Sequence, residues 1–339
     1  MEGPTIRELA QHCGLSPSAI SAALRNKKNI SLATKQRVHQ AAQELGYSSD
    51  AKLSQLMSYL RSNKGNRTAP SLILLYDSPS PSYIDDRPWL ATYTNGVERR
   101  CAQFGYIIEK IWARSASTAR LNQILQARGV EGVILFQPTD FFPGEFTKDL
   151  GKYALCAIEG DHAGRNFPRV VSMGFENVRL AMKKVIELGY ERPAMVIGNW
   201  VNEINDGLLR AGFIESQWAL PASQRIPPLI MDDWHLQLDR WVKKNRPDVI
   251  LCGDSNTVKY LKKSGFRVPK DISVVHLNHG HDVQSWAGVD NNHSEIGSAA
   301  VDLVVAQIHR GETGLPTHPK SIFLYGVWKD GETCPAKLG

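Results

Sequence analysis

TIRELAQHCGLSPSAISAALRNKKNISLATKQRVHQAAQELGY, residues 5–47, decides how the rest of the chain is read. Ile6, Leu9, Ala10 and Cys13 recur at i, i+3, i+4 and i+7, one face of a helix. Gly14 ends that helix, because glycine enters the left-handed conformation without steric cost, and Leu15 can fold back onto the apolar face. Ser16 and Pro17 restart one: the serine caps free N–H groups, and proline suits a first position that has no use for an N–H. Ile20, Ala23 and Leu24 form the buried stripe of this second helix. A third begins at the cap Ser31 and runs through Val38, Ala41, Ala42 and Leu45 to a stop at Gly46. Two short helices joined by a tight glycine turn, with the small Ala10 allowing a close crossing, make a helix-turn-helix.

Charge distinguishes this stretch from the remainder. The chain of 339 residues has a net charge of +6, and residues 1–67 hold ten Lys/Arg against four Asp/Glu, while the remainder holds 30 of each sign. The whole excess therefore sits on the first fifth, as in a small polyanion-binding module attached to a neutral body. Apolar runs such as LILLY (72–76) are of strand length and too short to span a membrane, and MEGPTIREL lacks the basic-then-apolar pattern of a secretion signal. These features place the protein in the cytoplasm with no membrane partner. The five cysteines are scattered, without a C-x-x-C pair, and read as reduced buried residues rather than a disulfide framework or zinc site.

The helical pattern, down to the closing E-L-G-Y at Glu44 to Tyr47, resembles the DNA-binding headpiece of the lactose-repressor family. The resemblance implies a second helix lying in the major groove, with Pro17, Ser18 and Ala22 at the reading positions. The family commonly has Thr where Ala19 stands and Arg where Ala22 stands. Alanine can touch only a thymine methyl, whereas arginine would grip guanine with two hydrogen bonds. Phosphate contacts are expected from Ser16, Ser21, Arg25, Asn26, Ser31 and Thr34. After Tyr47, Leu56 falls where the family places a leucine that wedges into the minor groove, a source of specificity without hydrogen bonds. The usual alanine-arginine of that segment is Leu53-Ser54 here. Leu53, Leu56, Met57 and Leu60 also form a stripe that could merely pair the helices of two subunits, and both readings stay open. SNKGNRTAPS, ending at Ser71, reads as a linker.

Beyond Ser71, strand-like runs at 72–76, 106–112, 132–136, 154–158, 194–198, 248–252 and 272–277 alternate with amphipathic helical patterns such as LAMKKVIEL (180–188) and VDLVVAQI (301–308). Buried parallel strands read this way, and their number calls for two doubly wound sheets with ligands beyond the C-terminal strand ends. ARGVEGVILF, ELGYERPAMVIG and GFRVPKDISVV follow in the order of the same family, whose body resembles the sugar-binding proteins of the periplasm. The implied fold is an all-α headpiece with a hinge helix, joined to a two-lobed α/β core. The expected segments are the headpiece 1–48, the hinge helix and linker 49–69, a first lobe of 70–165 and 291–315, a second lobe of 166–290 and 316–330, and a tail 331–339. Positions matching the family's effector contacts are Glu159, Arg179, Trp234, Asp254 and Asn278. Carboxylates and amides can bind paired hydroxyls, and an indole offers a flat face to a sugar ring. Arg179 could equally be a surface charge and Trp234 a hydrophobic plug.

Two other chemistries present themselves. CGDSN (252–256) after a strand, with Asp290 and His293 at D-x-x-H spacing, imitates an esterase triad on Ser255. The separation argues against it, since such esterases hold the serine near the start of the domain and the D-x-x-H near its end. His276, His279, His281 and Asp282 lie within one short stretch, but His276 belongs to a strand and the others to a loop, so solvated histidines are expected there instead of a metal site. No Walker loop or dinucleotide fingerprint is present, and no cofactor or catalytic residue is expected. The reading is a sequence-specific repressor that binds a palindromic operator as a homodimer and responds to a sugar-like effector between the lobes. The alternative is a small-molecule-binding protein whose N-terminal module serves only to dimerise.

Overall fold

The computed structural model describes residues 4–24, 30–45, 47, 70–82, 88–136, 150–160, 167–280 and 283–337. The chain divides into two compact units, Met1–Thr68 with His309–Gly311, and the remaining body. In the first unit, α1 (Ile6–Cys13), α2 (Pro17–Leu24) and α3 (Leu32–Glu44) enclose a small core of Leu9, Ala10, Ile20, Ala23, Val38 and Ala41. Each boundary has a local cause. Thr5 Oγ1 accepts from Glu8 N (3.3 Å) while Glu8 Oε2 accepts from Thr5 N (2.6 Å), a reciprocal cap that holds the Glu8 carboxyl below its ordinary range. Gly14 takes φ +60°, and Leu15 N donates back to Ala10 O at 3.0 Å. Ser16 Oγ accepts from Ala19 N and Ser31 Oγ from Thr34 N, both at 3.2 Å. Arg37 Nη2 donates to Cys13 O at 2.9 Å, so α3 satisfies a carbonyl at the end of α1.

The body contains two six-stranded sheets. The first is built from β1 (Ser71–Tyr76), β2 (Ile107–Trp112), β3 (Gly132–Phe136), β4 (Ala154–Ile158) and β5 (Arg169–Ser172), with α4 (Pro88–Phe104) and α5 (Thr118–Ala127) between strands. The chain then passes to α6 (Gly174–Glu187), β6 (Pro193–Ile197), α7 (Asn199–Ile204), α8 (Leu208–Gln217), β7 (Leu229–Ile230) and α9 (Trp234–Asn245) of the second lobe. That lobe continues with β8 (Val249–Cys252), α10 (Thr257–Lys263), β9 (Ser273–His276) and β10 (Ala287–Asp290). The chain returns through α11 (His293–Arg310) and β11 (Ser321–Leu324) to the first lobe, and ends with β12 (Val327–Lys329) in the second. The sheet orders are β11-β5-β4-β3-β1-β2 and β12-β10-β9-β8-β6-β7. All described pairings are parallel except β10 with β12. Central strands such as GVILF and ALCAI are buried along their whole length because helices cover both faces of each sheet.

The expected lobe boundaries shift in three places. Residues 169–172 and 321–324, assigned above to the second lobe, pair with each other in the first sheet, with Ile322 opposite Val170. Both are short and at or near an edge, so neither carries the long apolar run that announces a central strand. Residues 331–337 are part of the second lobe instead of a tail. Thr333 Oγ1 accepts from Ala287 N (3.0 Å) and donates to Val274 O (2.7 Å), Cys334 is buried, and Lys337 pairs with Asp248.

Candidate nucleic-acid interface and interlobe cleft

On the headpiece, the start of α2 is exposed at Ser16, Pro17 and Ser18, while Ser21 and Ala22 are half-buried one turn further on. Ser16 Oγ and Ser18 Oγ lie 2.9 Å apart, and Ser31 Oγ and Thr34 Oγ1 2.8 Å, so these hydroxyls form two small clusters at two helix N-termini. Free backbone N–H groups and hydroxyls at a helix start suit phosphate oxygens. Arg25, Asn26 and Leu56 lie outside the described residues.

In the body, the lobes enclose a cavity of about 180 Å³ at the C-terminal ends of the strands. Its polar groups include Glu159 after β4, Ser172 at the end of β5, Asn177 on α6, Asn205 after α7, Asn278 after β9 and Asn291 after β10. Its flat apolar surfaces are Trp89 and Tyr93 of α4 and the exposed Trp200 of α7. Two glycines bring one wall together: a methyl on Gly96 would overlap Ser294 O, and one on Gly297 would overlap Tyr93 O, so α4 and α11 cross in backbone contact. That crossing stacks His293 on Tyr93, with ring centroids 4.3 Å apart and planes 20° apart.

Glu159 is the most unusual residue here. It takes φ +52°, a strained value for a side chain with a Cβ, and its Oε1 accepts from Tyr93 Oη (2.9 Å) and Ser172 N (3.1 Å). Its Oε2 has the longer contact from Ser172 Oγ at 3.4 Å. Burial raises the Glu159 carboxyl above its ordinary range, opposed by these donors and by the charge of Arg169. Arg169 itself spans the lobes to Asp206 at 2.9 Å. Burial pushes the His293 imidazole down to about 4, so it is neutral near pH 7. Carboxylate, amides and aromatic faces together can hold hydroxyl and N–H groups around a small ring.

Of the five expected effector contacts, Glu159 and Asn278 line this cavity. Asp254 follows the lining residue Gly253, but its Oδ1 accepts from Asn256 N (2.8 Å) and Nδ2 (3.0 Å). Arg179 and Trp234 are elsewhere. Arg179 pairs with Glu176 and Glu215 beside a separate outer groove, because its turn of α6 faces α8. Trp234 is buried in the second-lobe core, edge-on to Tyr260 at 5.5 Å, because the start of α9 turns it towards the sheet. Trp89, Tyr93, Ser172, Asn177, Trp200, Asn205 and Asn291 escaped sequence reading, and His293 was weighed only as an esterase base. Among them only Trp200 had a usable signal, a position just past the strand-like run 194–198.

In the histidine stretch, His276 ends strand β9, as its strand assignment implies; it is buried, accepts at Nδ1 from Asn278 N (3.2 Å) and sits edge-on to Trp286. Among the described residues no His/Cys/Asp/Glu group could hold a metal, and His281 and Asp282 lie outside them. Ser255 opens onto a surface hollow with Lys259 and Lys262, while His293 is buried against Tyr93 and Asp290 Oδ1 accepts from Asn292 N. Those three residues do not form a triad.

Comparison with known proteins agrees with this architecture. Residues 5–50 match the family described as bacterial regulatory proteins, lacI family, and residues 182–334 match the periplasmic binding protein-like domain. The HTH-type transcriptional repressor PurR of Yersinia pestis bv. Antiqua (strain Antiqua) is 24% identical over 296 residues, 80% of this chain and 79% of the relative. PurR of Pectobacterium carotovorum subsp. carotovorum (strain PC1) is 24% identical over 295 residues, with the same coverage. Among solved structures, a complex of the transcriptional regulator CelR with cellobiose aligns at TM-score 0.63 and 21% identity, covering 97% of this chain and 99% of that one. The lac repressor dimer bound to operator and the anti-inducer ONPF aligns at TM-score 0.61 and 17% identity, covering 99% and 100%.

Proposed function

We propose a function on one premise: the chain belongs to the lactose-repressor family of bacterial transcription regulators, with a DNA-binding headpiece and an effector-binding body. It acts in the cytoplasm as a homodimeric repressor on a palindromic operator, performs no catalysis, and is controlled by a small sugar-like molecule in the interlobe cleft. The start of α2, with Pro17, Ser18 and Ala22, meets the major groove. Ser16, Ser21, Arg25, Asn26, Ser31 and Thr34 meet phosphates, and Leu56 wedges the minor groove. Two headpieces are needed because a palindrome offers two equivalent half-sites. In the cleft, Glu159 and Asn278 take the ligand's hydroxyl or N–H groups, with Asp254 at the edge.

The observation that carries the reading is the pairing, on one chain, of an N-terminal segment (residues 1–67, headpiece and connector) holding all the excess positive charge with a ligand-sized cleft centred on a strained, half-buried carboxylate. Control follows from differential affinity. An effector that binds one relation of the lobes better than another shifts the population towards it, and DNA affinity follows.

Two measurements test this. In a salt titration against random duplex DNA, affinity should fall steeply as salt rises, because phosphate contacts release counterions. An absence of binding even at low salt would leave the headpiece as a dimerisation module and the protein as a small-molecule binder. In a thermal-shift panel of sugars that includes cellobiose, a ligand should raise the melting temperature of wild type and lose most of that effect in Glu159→Gln.

A further inference from the structure

We propose that Asn177 is a positioning residue that pins the three chain crossings between the lobes to the wall of the cleft. The crossings are Met173 between β5 and α6, Asn291–Asn292 between β10 and α11, and Tyr325–Gly326 between β11 and β12. Asn177 lies in the first turns of α6 and is only 3% exposed. Its Oδ1 accepts from Gly326 N at 2.7 Å and its Nδ2 donates to Asn291 Oδ1 at 2.9 Å. The orientation of this amide is forced, because a backbone N–H can only donate, so the oxygen must face Gly326 and the nitrogen is left for Asn291. One side chain therefore holds the second and third crossings at once.

Further bonds complete the knot. Met173 N donates to Leu324 O (2.8 Å), tying the first crossing to the third strand passage, and Asn292 Nδ2 donates to Tyr325 O (3.0 Å). The cleft connects at both ends. Asn291 Nδ2 donates to Asn278 Oδ1 at 3.0 Å, and Glu159 accepts from Ser172, the residue before the first crossing. A ligand bonded to Asn278 or Glu159 thus acts on the groups that set the crossings. A buried amide that loses one partner is left with an uncompensated polar group, so the knot tends to hold or open as a unit. Its regulatory meaning rests on the effector-cleft reading, whereas the pin itself needs no ligand to be tested.

The test is hydrogen–deuterium exchange on the full chain for wild type, Asn177→Ala, Asn177→Asp and the control Val185→Ala, which removes buried packing from the same helix. Asn177→Ala should speed exchange roughly tenfold or more at all three crossings together. Asn177→Asp keeps the acceptor for Gly326 but has no donor for Asn291, so it should release the second crossing more than the third, and it serves if the alanine variant does not fold. Val185→Ala should loosen α6 without reaching the crossings. The proposal is overturned if Asn177→Ala affects Gly326 alone, or affects the crossings no more than Val185→Ala does. Should operator binding fail while this exchange pattern holds, the regulator reading falls and the pin remains.

Discussion

At the scale of single residues, the half-buried Glu159 of the cleft and the buried His293 stacked on the cleft residue Tyr93 make stability responsive to pH. His293 has its folded value lowered from 6.5 to about 4. Between those values the unfolded chain binds the proton more readily, so stability is fully present above pH 6.5 and is lost as pH falls through that window, by up to about 3 kcal/mol. His293→Phe should lack that component, which urea titrations at pH 7 and pH 5 would show; an unchanged pH dependence would refute it. Glu159 is raised, so its contribution has the opposite sign: it is present at low pH and lost as pH rises. Glu159→Gln is therefore expected to raise the melting temperature at pH 7 while weakening a hydroxyl-bearing ligand by about tenfold or more, since hydrogen bonds to a charged group are the stronger ones. A lowered melting temperature would show that the carboxylate is already well compensated. Glu159 and Asn278 were reached through the family resemblance, and both lie just past strand ends, where doubly wound folds place their ligands. Sequence reading missed Tyr93 and the pairing of Tyr93 with His293, which lie far apart in sequence and meet only through the α4–α11 crossing. Trp234 proved to be the hydrophobic plug of its two open readings, since a tryptophan at a helix start looks the same whether the helix turns it to the ligand or to the core.

At the scale of elements, the close crossing of α4 and α11 positions one wall of the cleft. Gly297→Ala would push its methyl into Tyr93 O and should cost about 1–3 kcal/mol, the usual penalty for overpacking. It should also reduce ligand binding through displacement of Tyr93, and unchanged stability in urea would mean that the two helices separate without strain. The headpiece helices were legible almost to the residue, because glycine, serine and proline mark their ends through local backbone chemistry. The long central strands were legible for a similar reason, being continuous apolar runs. β5, β7, β10, β11 and β12 were not, since edge or near-edge strands of a few residues owe their conformation to their neighbours.

At the scale of the whole molecule, the proposed homodimer makes a geometric prediction. Two symmetric headpieces fix the separation and the rotational phase of the half-sites, so inserting about half a helical turn, roughly 5 bp, at the centre of the operator should abolish tight binding while random-sequence affinity is retained. A gel-shift series with the spacer varied base by base would show it, and indifference to spacing would exclude a symmetric grip. The concentration of positive charge on residues 1–67 and the alternation of strand and helix after Ser71 are properties of composition and periodicity. The sequence by itself therefore determined the basic helix-turn-helix, the two-sheet body and the partition of charge between them. Only the tertiary structure decided which strands belong to which lobe, which side chains line the cleft, and that Asn177 joins its wall to the crossings. The physical reason is range: caps, turns and apolar periods act between residues a few positions apart, whereas Asn177 bonds Asn291 and Gly326 across separations of 114 and 149 positions, which no local pattern encodes.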